Sequence, residues 1–307
     1  MPARFTLGID LGGTTTALAA VDARNNVVAR RSFPTRAEAG FDDVVRRTSE
    51  AAAGILESYA CAAAGVAVAA QVDPAAGVIV ASPNLRFANE PLAARLQEEL
   101  HLPIIIENDV NAAAYGEYLA DPTAREPLLA AFAGTGVGGG FVVGGEIFRG
   151  ADGFAVEIGH VPVVAAGGEL CGCGRRGCVE AYAGGLAIVR RANARRTRSR
   201  APAFEDVGAV ARAAATDAGC REVLEEAAYY LGVALAAAVN LLNPGTLVIG
   251  GGVARAWPPL VPRAVARMNE SALPPLLVSL VAREALLGAA AGVVGAAALA
   301  RDQLPPQ

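Results

Sequence analysis

Phe5-Thr6-Leu7-Gly8-Ile9-Asp10-Leu11-Gly12-Gly13-Thr14 begins as an apolar strand, places an acid near its end and breaks into a glycine turn. Thr15–Asp22 is rich in β-formers and returns as the second arm of a hairpin. The pattern recurs downstream. Leu128-Leu-Ala-Ala-Phe-Ala133 is a strand, Gly134-Thr-Gly-Val-Gly-Gly-Gly140 a glycine turn, and Phe141-Val-Val143 the returning strand. Two such hairpins, roughly 125 residues apart, point to a duplicated α/β domain with a central cleft between the copies. Two unrelated glycine hairpins are the other reading.

The stretches between fill in the expected order. Ala37–Ala64 has helical apolar spacing, Gly65–Val72 and Gly77–Ala81 read as short strands, and Pro91–Leu100 as a helix. Pro103-Ile-Ile-Ile106 is a buried strand running into Glu107-Asn108-Asp109, and Val110–Ala120 is a helix. Later come a long helix over Glu222–Leu242, a strand at Leu247-Val-Ile249 and Gly250-Gly-Gly252. The last helix, Ala285–Arg301, is expected to cross back onto the first domain, leaving Asp302–Gln307 as a frayed tail. The expected domains are 1–109, joined by about 288–307, and 110–287.

Composition narrows the function. With 307 residues, 53% apolar and 18% charged, the chain can bury two cores. All 26 basic residues are Arg, against 30 acids, for a net charge of −4. The absence of Lys excludes a P-loop and any enzyme built on its own Schiff-base lysine. The acidic balance speaks against a nucleic-acid surface. The longest apolar run, Ala285–Ala300, is mostly Ala and Gly and reads as a close-packed helix, not a membrane span. No secretory signal is read at the start, so a cytoplasmic protein is expected. Arg190–Arg200 holds six Arg and reads as a solvated face, with an anion-steering rim as the alternative.

Four motifs carry chemistry. In Asp10-Leu-Gly-Gly-Thr-Thr-Thr16, glycines let amides approach an anion, hydroxyls add donors, and the acid can hold hydrated Mg²⁺. Gly134–Gly140 is a second phosphate cradle, and Gly250-Gly-Gly252 follows an apolar strand in the same manner. Glu107-Asn108-Asp109 places carboxylates at the end of a buried strand, where Asp109 can also cap the next helix. His160 followed by Cys171-Gly-Cys173-Gly-Arg-Arg-Gly-Cys178 offers one imidazole and three thiolates at a spacing that suits tetrahedral Zn²⁺. Cys61 and Cys220, in Ala-rich helical settings, read as packed thiols.

In this order the motifs resemble the ROK family of repressors, open reading frames and sugar kinases. Glu157-Ile-Gly-His160, Cys171-x-Cys173 and Gly177-Cys178-x-Glu180 match its signature, and the resemblance runs essentially end to end. It implies an actin/hexokinase-like fold, α/β, of two RNase H-like domains. It implies ATP-dependent phosphorylation of a hexose, with glucose at its 6-hydroxyl foremost. Kinases of N-acetylglucosamine, N-acetylmannosamine, fructose or allose remain alternatives within the family. By resemblance Asp109 is the general base. Asn84, Asn108, Asp109, Glu157, His160 and Glu180 hold the sugar. Asp10, Gly12, Gly13, Thr14, Thr15, Gly134, Thr135 and Gly136 face Mg²⁺ and the phosphates, and Gly251 and Gly252 the adenosine. The zinc on His160, Cys171, Cys173 and Cys178 would be structural, and a homodimer is usual. The Cys cluster favours ATP over polyphosphate.

Three features depart from the family's pattern: Ala69-Ala-Gln71 stands for a Pro-Gly-Pro-like loop, Phe87 for a Trp and Gly184 for a Ser. A sugar-responsive repressor would carry a helix-turn-helix domain before the first glycine motif. Asp10 stands too near the start of the sequence for one, so an enzyme is expected. A catalytically dead sugar binder is the third reading, and the intact Asp109 speaks against it.

Overall fold

The computed structural model describes residues 5–82, 84–196 and 203–303. They form two compact units. The first comprises residues 5–122, 145–155 and 286–303, the second residues 123–144 and 156–285.

In the first unit, strands Phe5–Leu11 and Thr15–Asp22 pair antiparallel, with Leu11 opposite Thr16 across the glycine turn. Val27–Pro34 extends the sheet on the hairpin side, and Cys61–Val68 and Ile104–Asn108 continue it in parallel on the other. Four strands of the second unit repeat this order. Val137–Val143 is antiparallel to Leu128–Ala133, which is followed in parallel by Thr246–Gly250 and Val281–Glu284. Each hairpin thus occupies the same place in its sheet, as a duplicated unit requires.

One helix decides the packing of the first unit. Ala291–Gln303 buries ten consecutive residues, Ala291 to Ala300. Its small side chains let backbone meet backbone. A Cβ on Gly65 would lie 1.8 Å from the carbonyl oxygen of Ala296, and one on Gly8 would lie 1.9 Å from that of Val293. On its other side Gly295 faces Ala112 so closely that a Cβ would fall 1.7 Å from the Ala112 oxygen. That contact holds helix Asp109–Ala120 in the first unit, whereas a boundary at 109/110 assigns it to the second.

The structure corrects several element boundaries. The expected helix over 37–64 ends at Leu56, and Cys61–Val68 is a strand. Alanine favours helix locally, but pairing of Ala64 with Leu7 and of Gly65 with Gly8 outweighs propensity. Cys61 is therefore a strand residue, half-buried, its thiol pushed up to about 11 by burial. The second glycine turn is only Gly134–Gly136, because Val137 already begins the strand. The last helix starts at Ala291, not Ala285. The buried Glu117 accepts the amides of Leu286 and Leu287 at 2.8 Å and stops the chain there short of the helix. Asp302 and Gln303 are helical, and 304–307 lie outside the described residues. Among the described residues no helix is long and apolar enough to cross a membrane.

Candidate active site and metal centre

Asp109 is the first residue of helix Asp109–Ala120, directly after strand Ile104–Asn108. The cap is its neighbour. Asn108 Oδ1 accepts the amides of Val110 and Asn111 at 3.0 and 3.1 Å, and its Nδ2 donates to the Ala70 carbonyl at 3.1 Å. Relieved of the capping role, Asp109 stays partly exposed at the positive end of the helix, its Oδ1 accepting the Val110 amide at 3.0 Å. The backbone at Asp109 is held by the strand before it and the capped helix after it.

The segment is anchored by Glu107, to which no motif in the sequence gives this role. Glu107 is 3% exposed. Its Oε1 accepts from the Asn108 amide and Asn111 Nδ2, both at 3.0 Å. Its Oε2 takes Arg149 Nε at 2.8 Å and Nη2 at 2.7 Å. Such a fork-shaped, charge-assisted pair fixes orientation as well as energy. Nothing in the sequence around Arg149 marks a partner 42 residues away.

The first glycine turn is tied at both ends. The Gly12 amide donates to the Thr15 carbonyl at 3.1 Å, and Thr35 donates its hydroxyl to the Gly12 carbonyl at 2.7 Å and its amide to the Thr14 carbonyl at 2.9 Å. The hydroxyl-bearing Thr14 and Thr15 are exposed. Asn84 lies against Gly13, where a Cβ would come 3.0 Å from that of Asn84. The carboxylate of Asp10, near the end of the strand, has no hydrogen bond or ion pair among the described residues. Burial pushes its carboxyl up to about 6, with Arg30 opposing. A carboxylate that accepts no hydrogen bond has its oxygens open to a hydrated cation, which would favour the charged form as Arg30 does. In the second unit Thr135 is likewise exposed between Gly134 and Gly136. Gly251 holds φ 101° behind strand Thr246–Gly250, with no space for a side chain against the Ala133 backbone.

The four proposed zinc ligands come together. The ligand atoms of His160, Cys171, Cys173 and Cys178 all lie within 4.8 Å of one another. Cys173 and Cys178 sulfurs are 3.8 Å apart, and His160 Nδ1 is 3.7 Å from Cys171 Sγ. A disulfide needs about 2.05 Å. Thiolates about 2.3 Å from one tetrahedral ion stand about 3.8 Å from each other, so the spacing fits zinc. The backbone makes this possible by tight reversals. The Cys171 amide donates to Arg175, Gly174 to Cys171, and Gly177 to Glu169. Gly177 has φ 80°, and a Cβ there would lie 2.0 Å from the Val164 oxygen.

Around the cluster stand the acids. His160 turns Nδ1 to Cys171 and Nε2 toward Glu157, 4.0 Å away. Burial raises the Glu157 carboxyl, His160 lowers it and Glu180 raises it, for a net upward shift. Glu180 starts a short helix, with Oε1 3.5 Å from Cys171 Sγ and Oε2 accepting the Val137 amide at 3.0 Å. Val156, beside Glu157, holds φ 63°, a conformation a β-branched residue rarely takes. The Arg run is less solvated than expected. Arg191 is buried, paired with Glu226 and set over the Tyr182 ring, and Arg196 stacks on Phe204. Arg198 and Arg200 lie outside the described residues.

The two repeated α/β units and their glycine hairpins define an actin/hexokinase-like two-domain protein. Among solved structures the chain is similar to a ROK family glucokinase from Streptomyces griseus in complex with glucose and AMPPNP, with a TM-score of 0.83 and 30% identity over 97% of this chain and 99% of that one. It is also similar to the ROK hexokinase from Thermus thermophilus, at TM-score 0.81 and 32% identity over 97% and 98%. Residues 6–303 match the ROK family, and the chain belongs to it. A glucokinase from Halalkalibacterium halodurans is 34% identical, with 99% of this chain and 97% of that protein covered.

Proposed function

We propose that this protein is an ATP-dependent hexose kinase that phosphorylates glucose at its 6-hydroxyl. The observation that carries the reading is likeness in sequence and fold, along nearly the whole chain, to glucokinases. Asp109 accepts the hydroxyl proton as the γ-phosphoryl group leaves ADP, a step in which positioning and electrostatics do most of the work. Asn84, Asn108, Glu157, His160 and Glu180 read the sugar hydroxyls. The amides and hydroxyls of Gly12–Thr15 and Gly134–Gly136 meet the phosphates, and Gly251 and Gly252 the adenosine. With no Lys in the chain, phosphate charge falls to these donors and to the cation that Asp10 would hold through water. Bound Mg²⁺ would neutralise the phosphates, and bound zinc would cross-link the loop that carries His160 and Glu180. We further propose a cytoplasmic homodimer without nucleic-acid or membrane partners.

The test is kcat/KM with Mg-ATP over glucose, fructose, allose, mannose, N-acetylglucosamine and N-acetylmannosamine, with polyphosphate as a second donor. Glucose with ATP should lead the series. An N-acetylated sugar leading it by tenfold or more would move the assignment within the family.

A further inference from the structure

Glu180 stands where two features of the second unit meet. Two residues before it is Cys178, the last sulfur of the metal cluster. Its own carboxylate reaches the glycine turn, where Oε2 accepts the Val137 amide at 3.0 Å. The turn is docked on the segment after Glu180 by further hydrogen bonds. The Gly185 amide donates to the Gly134 carbonyl at 2.8 Å, and the Leu186 amide to the Thr135 carbonyl at 3.2 Å. Within the turn the Gly134 amide donates to Gly136 at 2.9 Å. The packing leaves no slack. A Cβ on Gly136 would lie 2.2 Å from Glu180 Oε2, and one on Gly184 would lie 3.3 Å from the Gly136 Cα.

We infer that Glu180 is a positioning residue for the glycine turn Gly134–Val137, joining that turn to the metal-cluster loop as one body. Two of its three attachments are backbone bonds that survive any side-chain change. The third, at the point where the turn becomes a strand, is supplied by Glu180 alone. Val137 is buried, so without the carboxylate its amide would lose its acceptor in a place water reaches poorly. The turn would then settle elsewhere, and the direction of the amides at Thr135 and Gly136 would change with it. The same carboxylate has a second oxygen, Oε1, directed at Cys171 Sγ at 3.5 Å. A displacement of the cluster loop therefore carries Glu180, and with it the turn. On the proposed reading, in which this turn cradles ATP phosphates, the consequence is that Glu180 acts on nucleotide as well as on sugar. A map that gives Glu180 to the sugar alone expects no such effect.

The experiment uses the full-length protein with its zinc content measured, and three variants: Glu180→Gln, Glu180→Ala and Gly136→Ala. Gln retains an oxygen that can accept the Val137 amide, and Ala does not. Gly136→Ala leaves Glu180 intact and pushes its carboxylate off the amide from the other side, so it serves should Glu180→Ala fold poorly. Two quantities are read without sugar: hydrogen exchange at the amides of residues 134–137, and affinity for AMPPNP. Exchange at Val137 should rise at least tenfold in Glu180→Ala and Gly136→Ala, and stay within about threefold of wild type in Glu180→Gln. AMPPNP affinity should follow the same order, weakened about tenfold in the first two and rescued in the third. Faster exchange with unchanged AMPPNP affinity would leave Glu180 as the holder of the turn and remove the turn from the nucleotide site. Unchanged exchange at Val137 in both Glu180→Ala and Gly136→Ala would overturn the inference.

Discussion

Replacing Asp10 by Asn should stabilise the metal-free protein at neutral pH and leave its stability unchanged near pH 4. Burial raises the Asp10 carboxyl from 3.8 to about 6, against the opposing field of Arg30. As pH rises between these values, the unfolded chain loses this proton while the folded chain keeps it. The neutral carboxyl's contribution is therefore complete below about pH 4 and lost as pH climbs through about 6. A gap of about two pKa units corresponds to about 3 kcal/mol. The carboxylate keeps part of its surface in water, and solvent screening reduces the expected net to about 1–2 kcal/mol. For units of this size that is a rise in Tm of about 2–8 °C. The assay is thermal unfolding of wild type and Asp10→Asn in Mg-free buffer at pH 4.0, 5.0, 6.0 and 7.5. The gain should appear between pH 4 and 6 and level off above. Mg²⁺-dependent ATP turnover should fall in the same variant, because Asn brings no charge to a cation. Equal Tm values at pH 7.5, or a gain of the same size at pH 4, would show that burial of the Asp10 charge does not destabilise the fold.

Two further outcomes follow from the geometry. Metal analysis should find about one Zn²⁺ per chain, and Cys173→Ser should lose most of it, since a structural site is built on four ligands. Full zinc in that variant would mean that the ion, if bound, is held elsewhere. Gly65→Ala should lower Tm by several degrees or abolish soluble protein, because its Cβ meets the Ala296 backbone at 1.8 Å and overpacking costs roughly 1–3 kcal/mol or more. Gly134→Ala, with nothing within 4 Å of its Cβ, should leave Tm unchanged and serves as the control.

The legible parts of this chain are those written in local chemistry. The hairpins announced themselves by apolar strands around glycine turns, and the His/Cys cluster by His160 with three Cys in eight positions. Residues that touch only through the fold left no such trace. Ala62–Ala64 looked helical because alanine is helical by default, and only the pairing with Phe5–Leu11 makes them strand. Asp109 reads as the cap of the next helix, but Asn108 takes that place because of how strand Ile104–Asn108 delivers the chain. The Glu107–Arg149 pair joins segments that are distant in sequence, as does the grip of Glu180 on Val137. Val156 in the left-handed region is the least readable feature, since its residue type argues against the conformation it adopts.

Phosphoryl transfer from ATP to glucose, with Asp109 as the proposed base, is open to direct measurement. The most direct test is the rate of glucose-dependent ADP formation by wild type and Asp109→Asn under saturating Mg-ATP. Wild type should turn over, and the variant should lose about 10²-fold or more in kcat with KM for glucose and ATP within a few-fold. Wild type without glucose-dependent turnover would rule out the glucokinase activity, and a variant that retains near-full kcat would rule out Asp109 as the base.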